Sequence, residues 1–372
     1  MHRLTIHNRK QRGVAIITAM LVIALGTITM VSISSSQNLD MQRERNEAIM
    51  QQARAFGISG ERFATAVLYR DHKDGLRGGS DSLEDDWAQT LPPVPIDQAS
   101  IQGCIVDMQG RFNLNNLVDA SGVAAPVYVD QLKRLLQRLN IDGLKADAIV
   151  DWIDQDFNPI TPEGAEDDYY TGLEVGYRAA NTYLTSISEL QLIKGFSSAI
   201  EEEREDYELL LPHVAVLPAP DPPASGAPAP GDATAINVNS ATPDVLASLS
   251  NKTIPLADEL SRWETLNYEE YPECEELFDL SDTSEAVPTG PSPEPFEEKN
   301  AFEQAWLAEI ANTGVSADEQ KIDINVNYGV RSNYFQVRID VEAEGITLTQ
   351  YTLLKRDAEG RSKVIYRSRD TL

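Results

Sequence analysis

The chain has 372 residues, with Lys+Arg 31 against Asp+Glu 59, a formal net charge of −28 and a hydrophobic fraction of 42%. That charge repels phosphate and excludes most nucleic-acid binders, and the ordinary apolar content excludes a disordered acidic tail. The length allows two or three domains. Cys104 and Cys274 form no CxxC pair, which excludes zinc-ribbon and thioredoxin-like sites. His2, His7, His72 and His213 are too scattered to assemble a catalytic or metal centre. No GxSxG, HExxH or P-loop spacing occurs, so no enzyme is expected.

Residues 1–13 carry Arg3, Arg9, Lys10 and Arg12 and no acid, and from Val14 to Leu39 no charged residue occurs. This run is long enough to cross a hydrocarbon core of roughly 30 Å. The basic flank predicts a cytoplasmic N-terminus. No A-x-A-like cleavage site follows. The pattern instead continues as a helix, with Ile49, Ala53, Phe56, Ala64 and Leu68 interleaved with charged residues at spacings of three and four. A transmembrane segment over 14–36 and a stem helix over 37–70 follow, about 85 Å long from Val14 at 1.5 Å per residue. Gly57 and Gly60 are the expected bend points.

A signal anchor accounts for the apolar run but not for Gly13. RQRG followed by VAIIT resembles the type III signal of prepilins and pseudopilins. The resemblance implies cleavage after Gly13 by a prepilin peptidase and N-methylation of Val14. Most members of that class carry Glu at the fifth mature position, and here that position is Thr18. A Thr there resembles the K component of the type II secretion system, and it implies a subunit that need not dock under another. The bland alternative is that Thr18 faces lipid or bonds its own backbone.

Residues 71–100 are rich in Gly, Pro and acids and are expected to form a polar loop. IQGCIVD (101–107) and RFNL (111–114) suggest a strand and turn. Helical spacing recurs over 127–212, in VDQLKRLLQRL, LKADAIVDWID, SISELQLIKGF and AIEEEREDYELLL. Residues 217–233 are a Pro/Ala/Gly loop. INVNSATPDVLASL predicts an extended piece and a helix with Thr242 as N-cap and Pro243 in its first turn. YFQVRIDVEAEG, ITLTQYTLLKRD and KVIYRSRD alternate apolar and polar residues and predict an antiparallel meander.

DMQGRFNLNNLVD, DWIDQDFNPITPEGAEDDYY, YRAANTYLTSISEL, INVNSATPDVLASL and the C-terminal strands, in this order, resemble the type II secretion system protein K family over most of the chain. The fold class expected is α+β: a pilin-like long N-terminal transmembrane helix on a C-terminal antiparallel sheet, with a large SAM/helix-hairpin-helix-like domain inserted. The expected parts are a leader (1–13), the transmembrane segment (14–36), the stem (37–70), the first part of the core (71–119), the helical insertion (120–315) and the core's last strands (316–372).

The densest acidic group is Asp151, Asp154 and Asp156, then Glu163, Glu166, Asp167 and Asp168, with a turn set by Pro159, Pro162 and Gly164 between the two parts; Asp151, Asp154, Asp156, Glu166, Asp167 and Asp168 are the candidate ligands. Carboxylates held together repel unless a cation joins them, and oxygen ligands without His or Cys suit Ca²⁺. The family resemblance also implies calcium in the insertion; a solvated acidic loop is the alternative. An exported setting favours a disulfide between Cys104 and Cys274, against two buried thiols. SISELQLIKGF and its neighbours resemble helix-hairpin-helix elements, but EEERED follows Lys194 and Gly195, which favours protein contact over DNA.

The resemblance implies assembly rather than catalysis. The expectation is a minor pseudopilin at the tip of the pseudopilus, initiating and capping the filament for export of folded proteins across the outer membrane. It would span the inner membrane once, with its head in the periplasm. The implied partners are the prepilin peptidase and the minor pseudopilins I, J and H, with no nucleic acid. A type IV pilus minor pilin and an exported helix-hairpin-helix DNA-uptake protein are the competing readings.

Overall fold

The computed structural model describes residues 12–74, 79–89, 91–219, 233–250, 294–313 and 326–369. Cys274, residues 1–11 of the expected leader and most of the Pro-rich loop lie outside these. Helix α1 runs unbroken over Arg12–Asp74. Its apolar side chains from Ile16 to Met41 are exposed, and it is long and apolar enough to cross a membrane. Its second half buries a stripe, Ile49, Ala53, Ala64 and Leu68, against Val337, Ile339, Val341 and Leu354 of the sheet. Gly57 and Gly60 lie on this stripe. A Cβ at Gly57 would stand 2.9 Å from Gln350 Oε1, and one at Gly60 3.0 Å from Ile339 Cδ1. The two glycines therefore let helix and sheet approach closely.

The sheet has five antiparallel strands in the order β1–β2–β7–β8–β9. They are β1 (Leu91–Ile96), β2 (Ala99–Asp107), β7 (Tyr334–Ala343), β8 (Ile346–Arg356) and β9 (Ser362–Ser368). The meander expected at the C-terminus is β7 to β9, with Gly345 and Gly360 at positive φ in its two turns. The expected polar loop over 71–100 differs: α1 extends to Asp74 and LPPVPI forms β1. Proline reads as loop in a sequence, yet an edge strand tolerates it because its outer amides need no partner.

Between β2 and β7 the chain builds a second core from Phe112 to Val330, wider than the expected insertion. Among the described residues its helices are α2 (Pro126–Arg138), α3 (Lys145–Ile153), α4 (Asp167–Tyr170), α5 (Glu201–Leu210), α6 (Pro243–Ser248) and α7 (Lys299–Thr313). Two short parallel pairs join it up: β3 (Phe112–Asn113) with β4 (Val214–Ala215), and β5 (Ile236–Asn237) with β6 (Tyr328–Gly329). SISELQL forms a 3₁₀ turn over Ile187–Leu192, closed by a Ser186/Glu189 capping box. Thr242 caps α6 as expected, its Oγ1 accepting from Val245 N.

The run DMQGRFNLNN is the clamp between the two cores. Asp107 is buried and accepts from Ser332 Oγ (2.6 Å), Asn237 Nδ2 (2.9 Å), Gln109 N (2.8 Å) and Ser240 Oγ. Gln109 Oε1 accepts from Asn333 N, and its Nε2 donates to Ala235 O. Asn115 donates to Leu184 O and Leu217 O and accepts from Leu184 N. Each amide thus satisfies backbone groups of a passing segment that no strand pairs. Gly110 is required: a Cβ would stand 2.3 Å from Ser240 O.

Candidate functional site

The acidic loop of the insertion hangs between α3 and α4. Asp154 ends α3 as its C-cap, and Glu166 precedes α4. Asp154, Asp156 and Glu166 offer oxygens that all lie within 4.8 Å of one another. Asp154 and Glu166 are buried, and neither oxygen of Glu166 nor Asp154 Oδ1 has a hydrogen-bond partner. Orphaned buried carboxylate oxygens are costly unless a cation meets them. Burial, then repulsion by Asp151, Asp154 and Asp156, pushes Glu166 up to about 7.

Asp151 stands next to this group, fully buried, and accepts from Ile160 N. Burial also pushes it up to about 7. Gly164 admits that approach, since a Cβ there would stand 2.2 Å from Asp151 Oδ2. The remaining two candidates are placed differently. Asp167 Oδ1 accepts from Ala179 N and its Oδ2 lies 3.8 Å from Arg178 Nε, while Asp168 is exposed. Sequence reasoning missed Asn181. It sits at φ 46°, donates from Nδ2 to Asp156 O, and holds a buried Oδ1 without a partner. An Asn in YRAANTY carries no spacing signal, and only the fold brings it to the loop. Trp152, next to Asp151 in the chain, packs with Tyr170 and Tyr177, ring centroids 5.1 to 6.1 Å apart. Three clustered acids, two of them with unsatisfied oxygens, and the orphaned amide oxygen of Asn181 nearby fit a hard divalent cation such as Ca²⁺.

A second carboxylate group, Asp71, Asp81 and Asp85, is a different object. Arg356 Nη2 donates to both oxygens of Asp81 at 2.6 Å, and its Nη1 lies 4.0 Å from Asp71. A guanidinium already supplies the counter-charge, and the group ties the end of α1 to β8.

Three other expectations concern α1 and the cysteines. Gly13 and Val14 lie inside the helix. Thr18 Oγ1 donates to Ala15 O at 3.0 Å, so its hydroxyl is satisfied on its own helix. Cys104, on β2, is disulfide-bonded, and Cys274 lies outside the described residues. The lysines of the hairpin-like elements are occupied. Lys194 Nζ reaches Glu163 Oε2 at 3.1 Å and Lys145 Nζ reaches Asp206 Oδ2 at 2.5 Å, leaving neither positioned for phosphate.

A long helix, bare and apolar in its first half and laid along an antiparallel sheet in its second, defines a pilin-like subunit, here with a helical domain carrying a carboxylate cage between its strands. Comparison with known proteins narrows the class. Residues 110–219 match the family model "Type II secretion system (T2SS), protein K". The chain is 32% identical over 369 residues to the Type II secretion system protein K of Pseudomonas aeruginosa, covering 96% of this chain and 93% of that protein. It is 29% identical over 253 residues to that of Aeromonas hydrophila, covering 65% and 70%. Its fold is similar to a chain in the crystal structure of the GspK–GspI–GspJ complex from the enterotoxigenic Escherichia coli type 2 secretion system, with TM-score 0.64 and 25% identity over 88% of this chain and 98% of that one. The chain belongs to the type II secretion system protein K family.

Proposed function

We propose that this chain is a minor pseudopilin that sits at the tip of the pseudopilus, starts and caps its assembly, and so serves export of folded proteins across the outer membrane. One observation carries the reading: α1 leaves its apolar side chains from Ile16 to Met41 uncovered while its other half is fixed to the head. Such a helix needs lipid or the stems of sibling subunits. In this reading the basic residues before it stay in the cytoplasm, the helix spans the inner membrane once, and the head lies in the periplasm. The prepilin peptidase cuts after Gly13 and Val14 becomes the N-methylated first residue. Thr18, without a carboxylate, makes no salt bridge to a subunit above. The partners are the I- and J-like minor pseudopilins, by likeness to the complex of the similar chain, with H completing the tip.

The test is co-expression of the full chain with its I- and J-like neighbours and extraction in detergent. A stable co-purifying complex is expected, together with loss of secretion when the chain is deleted. Secretion unaffected by deletion would overturn the proposal. Intact mass of the extracted chain should show loss of residues 1–13 and gain of one methyl group.

The carboxylate cage binds Ca²⁺ as a structural ion in this reading. Asp154, Asp156 and Glu166 would hold it, with Asp151 and Asn181 beside them, and the ion would supply the positive charge the orphaned oxygens lack. Calcium is expected to raise the melting temperature of the unmodified chain by several degrees, as ligand linkage requires. Glu166→Gln should abolish most of that rise. Equal responses of the two chains would rule the site out.

A further inference from the structure

We propose that β9 is the docking edge of this head, where the sheet accepts an extended, carboxylate-bearing strand from a neighbouring minor pseudopilin. The inference rests on the assembly reading above and adds to it the surface and its chemistry. The five-stranded sheet ends in two unlike edges. β1, LPPVPI, carries Pro92, Pro93 and Pro95, which have no N–H to donate, and its pairing with β2 is irregular between Leu91 and Val94. Such an edge cannot grow. β9, SKVIYRS, is also irregular in its pairing, with Ile365 extra between the partners of Leu353 and Leu354, but it has no proline and keeps every amide. Among the described residues no strand pairs with its outer side.

The side chains of this edge say what it fits. Ile365 and Tyr366 are 40% and 48% exposed, apolar surface that a passing strand would cover. Arg361, Lys363 and Arg369 are exposed and form no ion pair among the described residues. Arg367, by contrast, is held by Glu61. Free cations thus gather on one edge of a chain whose net charge is −28. A charged edge commonly serves to prevent self-pairing, and here the same cations choose the occupant. They repel a second copy of β9 and complement a strand flanked by Asp or Glu. Main-chain hydrogen bonds would then provide affinity and the charges register and choice of partner, as in strand addition generally.

The test uses the full chain, co-expressed with its I- and J-like neighbours and carrying the photo-crosslinker p-benzoylphenylalanine at Ile365 or, on the opposite edge, at Val94. Crosslinking from 365 to a neighbour is expected, and none from 94. The triple variant Arg361→Glu, Lys363→Glu, Arg369→Glu should cut the yield from 365 by about fivefold or more. If that variant melts early, the unmodified edge in about 0.5 M salt gives the same screen. A complex that forms while 365 stays silent sinks the inference and leaves the assembly reading standing. So does crosslinking that is indifferent to charge and salt, or that captures a second copy of this chain. Failure of the neighbours to co-purify at all would sink both.

Discussion

Asp71 shows how one residue can set a pH dependence outside the proposed cation site. It lies in the last turn of α1, and burial, with repulsion from Asp85 and Asp81, pushes it up to about 7 although Arg356 pulls the other way. The folded chain therefore holds a proton between about pH 4 and 7 that the unfolded chain has lost, so stability falls as pH rises through that window. Asp71→Asn should flatten this slope and make the variant relatively more stable at pH 7.5 than at pH 5. Denaturation of the detergent-solubilised chain at the two pH values measures it; an unchanged slope would count against the assignment. Backbone proximity yields a second prediction. Gly110→Ala drives a methyl into Ser240 O and should cost on the order of 1–3 kcal/mol, as over-packing does, read as an earlier denaturation midpoint. At this scale the sequence was partly legible. Crowding of Asp154, Asp156 and Glu166 follows from a turn that prolines announce. Asn181 does not, because nothing in its neighbours marks a residue brought in by a distant segment.

At the scale of elements, α1 and the sheet are joined by a polar bolt inside an apolar contact. Glu61 is buried on the helix face and accepts two bonds from Arg367, Nε at 2.6 Å and Nη2 at 2.9 Å, with Thr352 Oγ1 at 3.2 Å. Arg367 is half exposed, so its charge is screened and the pair is worth less than a fully buried one. Removing only the cation strands a buried carboxylate. Arg367→Ala should therefore cost about 1–2 kcal/mol, and Glu61→Gln in the same chain should recover part of it. A double-mutant cycle by chemical denaturation tests this, and strict additivity would refute it. The long helix and the C-terminal meander were legible because their periods of 3.6 and 2 run for many residues. β1 was not, because three prolines disguise an edge strand as a loop. The 3₁₀ turn at Ile187–Leu192 passed for a helix because its apolar spacing satisfies both.

At the scale of the whole molecule, the inserted domain is stitched to the sheet rather than tethered to it. Asp107 and Asp81 are held from both sides, Asp81 O accepting from Asn237 Nδ2 and Asn239 Nδ2 while its carboxylate meets Arg356 and Ser332 N. Asn237→Ala should leave Asp107 and Asp81 short of a donor and cost about 1–3 kcal/mol. It should unfold both cores together rather than free the insertion, and separate transitions in tryptophan fluorescence and far-UV circular dichroism would contradict that coupling. The motif carrying these contacts was visible as a family likeness, but its purpose was not: asparagines that serve distant backbone look like any polar loop until the distant segments are in place.

The pairing of β2 with β7 matches Ala99 to Ala343 and Asp107 to Phe335, so two adjacent strands are written at opposite ends of the head. Contacts so remote in sequence are slow to form because the intervening loop must close first. A nascent chain that ends before Tyr334 already holds the residues of the second core, but its first hairpin and its long apolar helix have no sheet to lie on. Completion of the sheet is thus timed by the strands over 334–368, and a ribosome stalled short of them would leave the helix stripe of Ile49, Ala53, Ala64 and Leu68 uncovered.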